Sequence, residues 1–127
     1  MKLLPELLDG RYFLATVDGS QLMTLADYLS YIVGIFREEE GLSIVFLEEI
    51  KEEMESISEK EAAGPFALIT LAVQSDLFSV GLLAAVTAAL EEEKIACNAI
   101  SAYHHDNLLV PYEKKDAALA VLKKLQK

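Results

Sequence analysis

The sequence predicts an α+β fold in which antiparallel strands carry helices on one sheet face. Three observations predict it. From residue 66 onward the pattern reads strand, helix, strand, turn, strand, helix. The apolar runs are short and end at Gly, Pro, Asp or Asn, as strands and short helices do. The chain has 127 residues and 53% hydrophobic content, enough for a buried core in one domain or in two small subdomains.

The first half is read element by element. Leu3 to Leu8 is helix-like, with Leu4, Leu7 and Leu8 on one face, and Asp9-Gly10 ends it. Tyr12 to Val17 is a strand followed by the turn signal Asp18-Gly19. Leu22 to Leu29 reads either as loop or as a short helix. Tyr31 to Phe36 and Leu42 to Phe46 are β-branched and aromatic strands. The polar segment Arg37 to Gly41 joins them as a hairpin with a longer loop. Leu47, Ile50, Met54 and Ile57 recur at helical spacing with acids and lysines opposite, which predicts a helix over 47–57. Ser58 to Pro65 is polar or small and ends in Gly-Pro, so it reads as the joint between residues 1–63 and 64–127.

The second half is sharper. Phe66 to Val73 is nearly continuously apolar, the mark of a strand covered on both faces or central in its sheet. Phe78 to Glu93 reads as a helix with Leu82, Val86, Ala89 and Leu90 inward and Glu91-Glu92-Glu93 in water. Those acids oppose the helix dipole, so solvation explains them better than helix stability does. Ala96 to Tyr103 is a strand, Asp106-Asn107 a tight turn, and Leu108 to Tyr112 the return strand. Lys114 to Leu125 is a helix with Ala118, Val121, Leu122 and Leu125 inward.

Charge and cysteine use narrow the function classes. There are 21 acids against 11 basic residues, a net charge of −10, so nucleic acid and anionic membranes are disfavoured partners. The one basic cluster, Lys114-Lys115 with Lys123-Lys124 and Lys127, reads as a solvated helix face. No apolar run approaches the ~18–20 residues of a membrane span, and the N-terminus lacks the pattern of a signal peptide, so a cytoplasmic location is expected. Cys97 is the single cysteine. It has no disulfide partner and no zinc-ligand spacing, and its apolar neighbours predict a small hydrophobe at the start of a buried strand.

Two polar clusters stand at element ends, where small ligands bind. The loop Ser75, Asp76, Ser79, Val80, Gly81, Leu82 leaves a buried strand and enters a helix, so unbonded backbone N–H groups face outward there. They can hold a carboxylate with help from the helix dipole. Ser75 and Asp76 also read as plain helix N-caps, and Gly81 also reads as a point of close helix–sheet packing. His104, His105 and Asp106 admit three readings: a metal site, local turn structure, or a polar rim for a ligand or subunit contact. Adjacent strand residues point to opposite faces, so this segment supplies too few ligands for a metal. A hydrolytic use would need a nucleophile, and Ser75, Ser79 and Ser101 lack the context of one. Asn98 reads first as an interior amide and second as a group reaching across a sheet edge. Glu38-Glu39-Glu40 reads as a solvated hairpin tip.

The second half resembles an ACT domain. The resemblance is carried by 70–75 (Thr-Leu-Ala-Val-Gln-Ser), by Ser79-Val80-Gly81-Leu82, by the passage Leu90 to Ile95, and by Ile95 through Pro111 with its His104-His105-Asp106 segment before an apolar Val-Pro strand. Within the family it is similar to a small bacterial group of standalone proteins. The hairpin over 36–45 is similar to one in that group and to an acidic-glycine hairpin in eukaryotic arginine sensors of tandem ACT domains. The first half then looks like a truncated ACT-like partner, with Leu22 to Leu29 as its only candidate first helix.

The resemblance implies a ferredoxin-like fold in two ACT-like halves, and a ligand near the loop between first strand and first helix. It also implies non-catalytic sensing of a small molecule, with an amino acid as the best guess. No cofactor is expected. A homodimer is expected because open sheets leave strand edges to be covered. The alternatives are a protein-interaction module without a metabolite, and a small enzyme using His104, His105 and Asp106.

Overall fold

Ala67 and Ile69 alternate along one strand and lie opposite Val110 and Leu108 of the next, so one sheet face becomes apolar there. Helices cover that face. This arrangement is seen in a computed structural model that describes residues 2–74 and 76–126. Ser75 and Lys127, both named in the sequence reading, lie outside the described residues.

The elements are β1 (Pro5–Leu7), β2 (Tyr12–Val17), α1 (Leu22–Ala26), β3 (Ile32–Glu38), β4 (Gly41–Leu47), α2 (Lys51–Ser56), β5 (Ala63–Leu71), α3 (Leu82–Glu92), β6 (Asn98–Ser101), β7 (Asp106–Pro111) and α4 (Lys115–Leu125). The chain divides into two compact units. One comprises residues 10–65, the other residues 1–9 with 66–127.

In the unit of residues 1–9 and 66–127 the sheet order is β6-β7-β5-β1, with every pairing antiparallel. Helices α3 and α4 pack on one face through Val86, Leu90, Ala118 and Leu122, all fully buried against Ile69, Leu71, Leu108 and Val110. Leu68 and Leu109 are buried as well, so β5 and β7 carry burial on both faces, as the apolar run of β5 predicted. The segment expected to be an N-terminal helix is instead strand β1, with Pro5, Glu6 and Leu7 opposite Leu71, Thr70 and Ile69. A short apolar run does not distinguish helix from strand, and the free outer side of β5 decides it. Leu3 is fully buried, and the Gln126 side-chain carbonyl accepts the N–H groups of Leu3 (3.2 Å) and Leu4 (3.0 Å).

The unit of residues 10–65 repeats the strand-helix-strand-strand-helix order on a smaller scale. Its sheet order is β3-β4-β2, which corresponds to β6-β7-β5 in the other unit. Phe13, Ala15 and Val17 of β2 face Phe46, Ile44 and Leu42 of β4. Ile50, Met54 and Leu25 close over them from α1, α2 and the turn between β4 and α2. The ambiguous segment 22–29 is a five-residue helix, α1, followed by a short 3-10 turn at Leu29–Tyr31. The carboxylate of Asp18 accepts the Ser20 N–H (2.9 Å), which holds its pKa below the usual value.

The β3–β4 hairpin is tighter than expected. Both strands continue to Glu38 and Gly41, leaving Glu39-Glu40 as the loop. Gly41 makes this possible. Its φ is +148°, and a Cβ there would collide with the Val17 carbonyl oxygen. We expect Gly41→Ala to cost more than ~1 kcal/mol in urea unfolding, with the m-value unchanged. A neutral result would refute this close approach.

Candidate functional site

Strand β5 ends at Leu71 and helix α3 begins at Leu82, and the last four residues of the loop between them, Phe78 to Gly81, were expected to be helix already. Two features keep them out of the helix. Asp76 closes a turn on itself: its carboxylate accepts the Phe78 N–H (2.8 Å), and its carbonyl accepts the Ser79 N–H (3.0 Å) and hydroxyl (2.6 Å). Gly81 then takes φ +97°, outside the helical region, and stands at the N-cap of α3.

Asp76 is therefore no cap for α3, and no side chain caps that helix. Its first hydrogen bond runs from Ala85 N–H to the Gly81 carbonyl (3.0 Å), which leaves the N–H groups of Leu82, Leu83 and Ala84 without helical acceptors. The packing explanation for Gly81 is also corrected, since a Cβ built there meets nothing within 4 Å. Glycine is required for its positive φ, and the space in front of it is open.

The second part of the site comes from the β6–β7 hairpin. Asp106 and Asn107 were expected to form its turn, but both belong to strand β7, opposite Ser101 and Ile100. The reversal is made by Ala102 to His105, with the Ala102 N–H donating to the His105 carbonyl (3.0 Å). Asn107 is drawn into the strand because its side chain is used there. It accepts the Thr70 hydroxyl (2.9 Å) and donates to the carbonyls of His105 (3.2 Å) and Ile100 (3.4 Å). The register puts Ser101 across from Asp106, and the Ser101 hydroxyl donates to the Asp106 carboxylate (2.6 Å).

These two parts enclose a hollow of about 200 Å³. It is lined by Asp76, Leu77, Ser79, Gly81, Leu82, Leu83 and Ala84 from the loop and helix start, and by Ser101, Ala102 and Asp106 from the hairpin. Of the residues expected at a site, Asp76, Ser79, Gly81, Leu82 and Asp106 are brought together here. Val80 is not among the lining residues and is 96% exposed. Asn98 sits at the far end of β6, exposed on an edge strand, which corrects its reading as an interior amide.

The histidines also fall outside the lining. Gln74 donates toward His104 Nδ1 (3.2 Å), Tyr103 meets the His104 ring edge-on (4.9 Å), and His105 Nδ1 lies 3.5 Å from the Val73 carbonyl. They tie the hairpin turn to the end of β5 and do not converge with Asp106 on one cleft.

Leu77, Leu83, Ala84, Ser101 and Ala102 were not anticipated as binding residues. Leu83 and Ala84 follow once α3 starts at Leu82. Ser101 follows once the turn is placed at 102–105, because it then faces Asp106.

Among the described residues no group of three or more His, Cys, Asp or Glu side chains is arranged to hold a metal ion. Cys97 is half-buried and packs against the core of its unit, and burial raises its thiol pKa, which keeps it protonated and poorly nucleophilic. No helix among the described residues is long and apolar enough to cross a membrane.

A family model described as "ACT domain" matches residues 65–124, which spans the strand, loop, helix and hairpin that build the hollow. No curated protein matches the chain. Among solved structures, a Vibrio cholerae protein of unknown function, described as a possible transport protein, is 37% identical. The match covers 99% of this chain and 91% of that one, with a TM-score of 0.81. An Agrobacterium tumefaciens protein is 19% identical over 99% of this chain and 90% of that one, with a TM-score of 0.73. The ligand-free regulatory subunit of aspartate kinase from Thermus thermophilus is 10% identical over 97% of this chain and 96% of that one, with a TM-score of 0.74. The last two likenesses speak to the fold, an antiparallel sheet with helices in ferredoxin-like arrangement. Residues 65–124 of the chain belong to the ACT-domain family.

Proposed function

We propose that the protein is a non-catalytic regulator that binds a small molecule, best matched by an amino acid, in the hollow between the Asp76–Ala84 segment and the Ser101–Asp106 hairpin. One observation carries the reading. Unbonded helix N–H groups and two carboxylates line the same small space in a domain of the ACT family. A ligand carboxylate is matched by the N–H groups of Leu82, Leu83 and Ala84. A ligand ammonium is matched by Asp76 and Asp106 together. The volume is below the roughly 300–1,000 Å³ usual for drug-sized ligands, which suits a molecule of amino-acid size.

The unit of residues 10–65 serves in this reading as a second, reduced ACT-like half, since its strand order repeats that of the other unit. Self-association belongs to it too, because β3 and β6 end their sheets. Signalling follows if the ligand binds one association state better than another.

The competing reading is a protein-interaction module without a metabolite. It draws on Phe78, Val80 and Tyr103, which are 89%, 96% and 75% exposed near the hollow. A thermal-shift screen against the standard amino acids separates the two. A ligand at a hundred times its dissociation constant adds about 2.7 kcal/mol, several degrees for a domain of this size. A flat response across the screen would overturn the sensor reading and leave the interaction module.

A further inference from the structure

On the face of the sheet that carries the helices, α3 and α4 leave an open groove of about 730 Å³ between them. Its floor is apolar and shallow, with Ala89, Ala117 and Ala120 allowing close approach. Its rim holds Glu92 and Glu93 at the end of α3, and Lys114 and Lys124 before and within α4. All four side chains are exposed, and none forms an ion pair with another. Two carboxylates and two ammoniums thus border one apolar groove with their charges unspent.

A patch that carries both signs beside an apolar strip is complementary to itself. A two-fold contact between identical chains needs that property, because each copy presents the same patch to the other. We propose that this groove is a homophilic interface, in which a second copy of the chain sets the partner's Lys114 and the partner's Lys124 against Glu92 and Glu93, and the reverse. The inference rests on the self-association proposed above and places it on the helical face in preference to the open strand edges. With a net charge of −10, copies repel one another at long range, so local pairing of opposite charges is what fixes their register.

Charge swapping tests it on the full chain, with mass read by light scattering after size exclusion. The Glu92→Lys, Glu93→Lys double variant and the Lys114→Glu, Lys124→Glu double variant are each expected to raise the dissociation constant at least about tenfold and to halve the assembly mass. Mixing the two is expected to restore it, since each reversed rim then meets its complement. Ala120→Arg, at an exposed position on the groove floor, is expected to dissociate the assembly without loss of helical circular dichroism.

A monomeric wild type would overturn both the surface and the self-association. An assembly that withstands Ala120→Arg and both charge variants would overturn this surface alone. Variants that dissociate but give no restored assembly on mixing would overturn the charge pairing.

Discussion

Phe46→Ala is expected to lose about 3–5 kcal/mol of stability, a large share of the ~5–15 kcal/mol a domain holds. Phe46 is fully buried and stacks on Phe13, its partner across the β2–β4 pairing, with ring centroids 6.2 Å apart. Removing the ring deletes that contact and leaves a cavity in the cluster that also holds Met54 and Ile50. Phe36 on the same hairpin is the control. It is 72% exposed, so Phe36→Ala is expected to change stability by no more than ~0.5 kcal/mol. Urea unfolding of both variants measures the difference. Equal losses would mean that the small unit is not held by a core around Phe46.

Asp76→Ala combined with Asp106→Asn is expected to weaken amino-acid binding at least about a hundredfold. A hydrogen bond to a charged group contributes ~1.5–3 kcal/mol, so each carboxylate accounts for about a factor of ten or more. Folding is expected to change little. Asp76 is exposed and holds only its own turn, and Asn at 106 keeps an oxygen for the Ser101 hydroxyl. Calorimetric titration of the amino acid that most raises the melting temperature reads the affinity, and circular dichroism checks the fold. An unchanged affinity would remove the carboxylates from the site.

The strands were legible where a buried face imposed a period. β2 falls on Tyr12 to Val17 as read from the sequence, and β5 and α4 deviate only at their ends. The inward residues Val86, Leu90, Ala118 and Leu122 were legible for the same reason. Where side chains bond locally, the pattern misled. Asp76 reads as a cap in sequence, and only its bond to Phe78 shows that it delays the helix. Asp106-Asn107 has the composition of a turn, but the bonds of Asn107 to Thr70, His105 and Ile100 make it a strand residue. β1 was not legible, because nothing in six residues reveals the open side of a strand more than sixty positions away. The Gln126 contact that anchors Leu3 and Leu4 leaves no sequence signal at all.

The candidate site was half legible. The loop was found because a strand running into a glycine-bearing helix exposes backbone N–H groups on any fold. The hairpin side was named through His104, His105 and Asp106. Strand register presents Asp106, with Ser101, to the hollow and leaves His104 and His105 in the turn.

The most direct measurement is an amide ¹H–¹⁵N titration of the uniformly labelled protein with that same amino acid. The account predicts saturable shifts concentrated at Gly81, Leu82, Leu83 and Ala84, with Ser101 and Asp106 following at the same midpoint. Shifts confined to residues 10–65 or to the α3–α4 groove, with the α3 N-terminus silent, would contradict it.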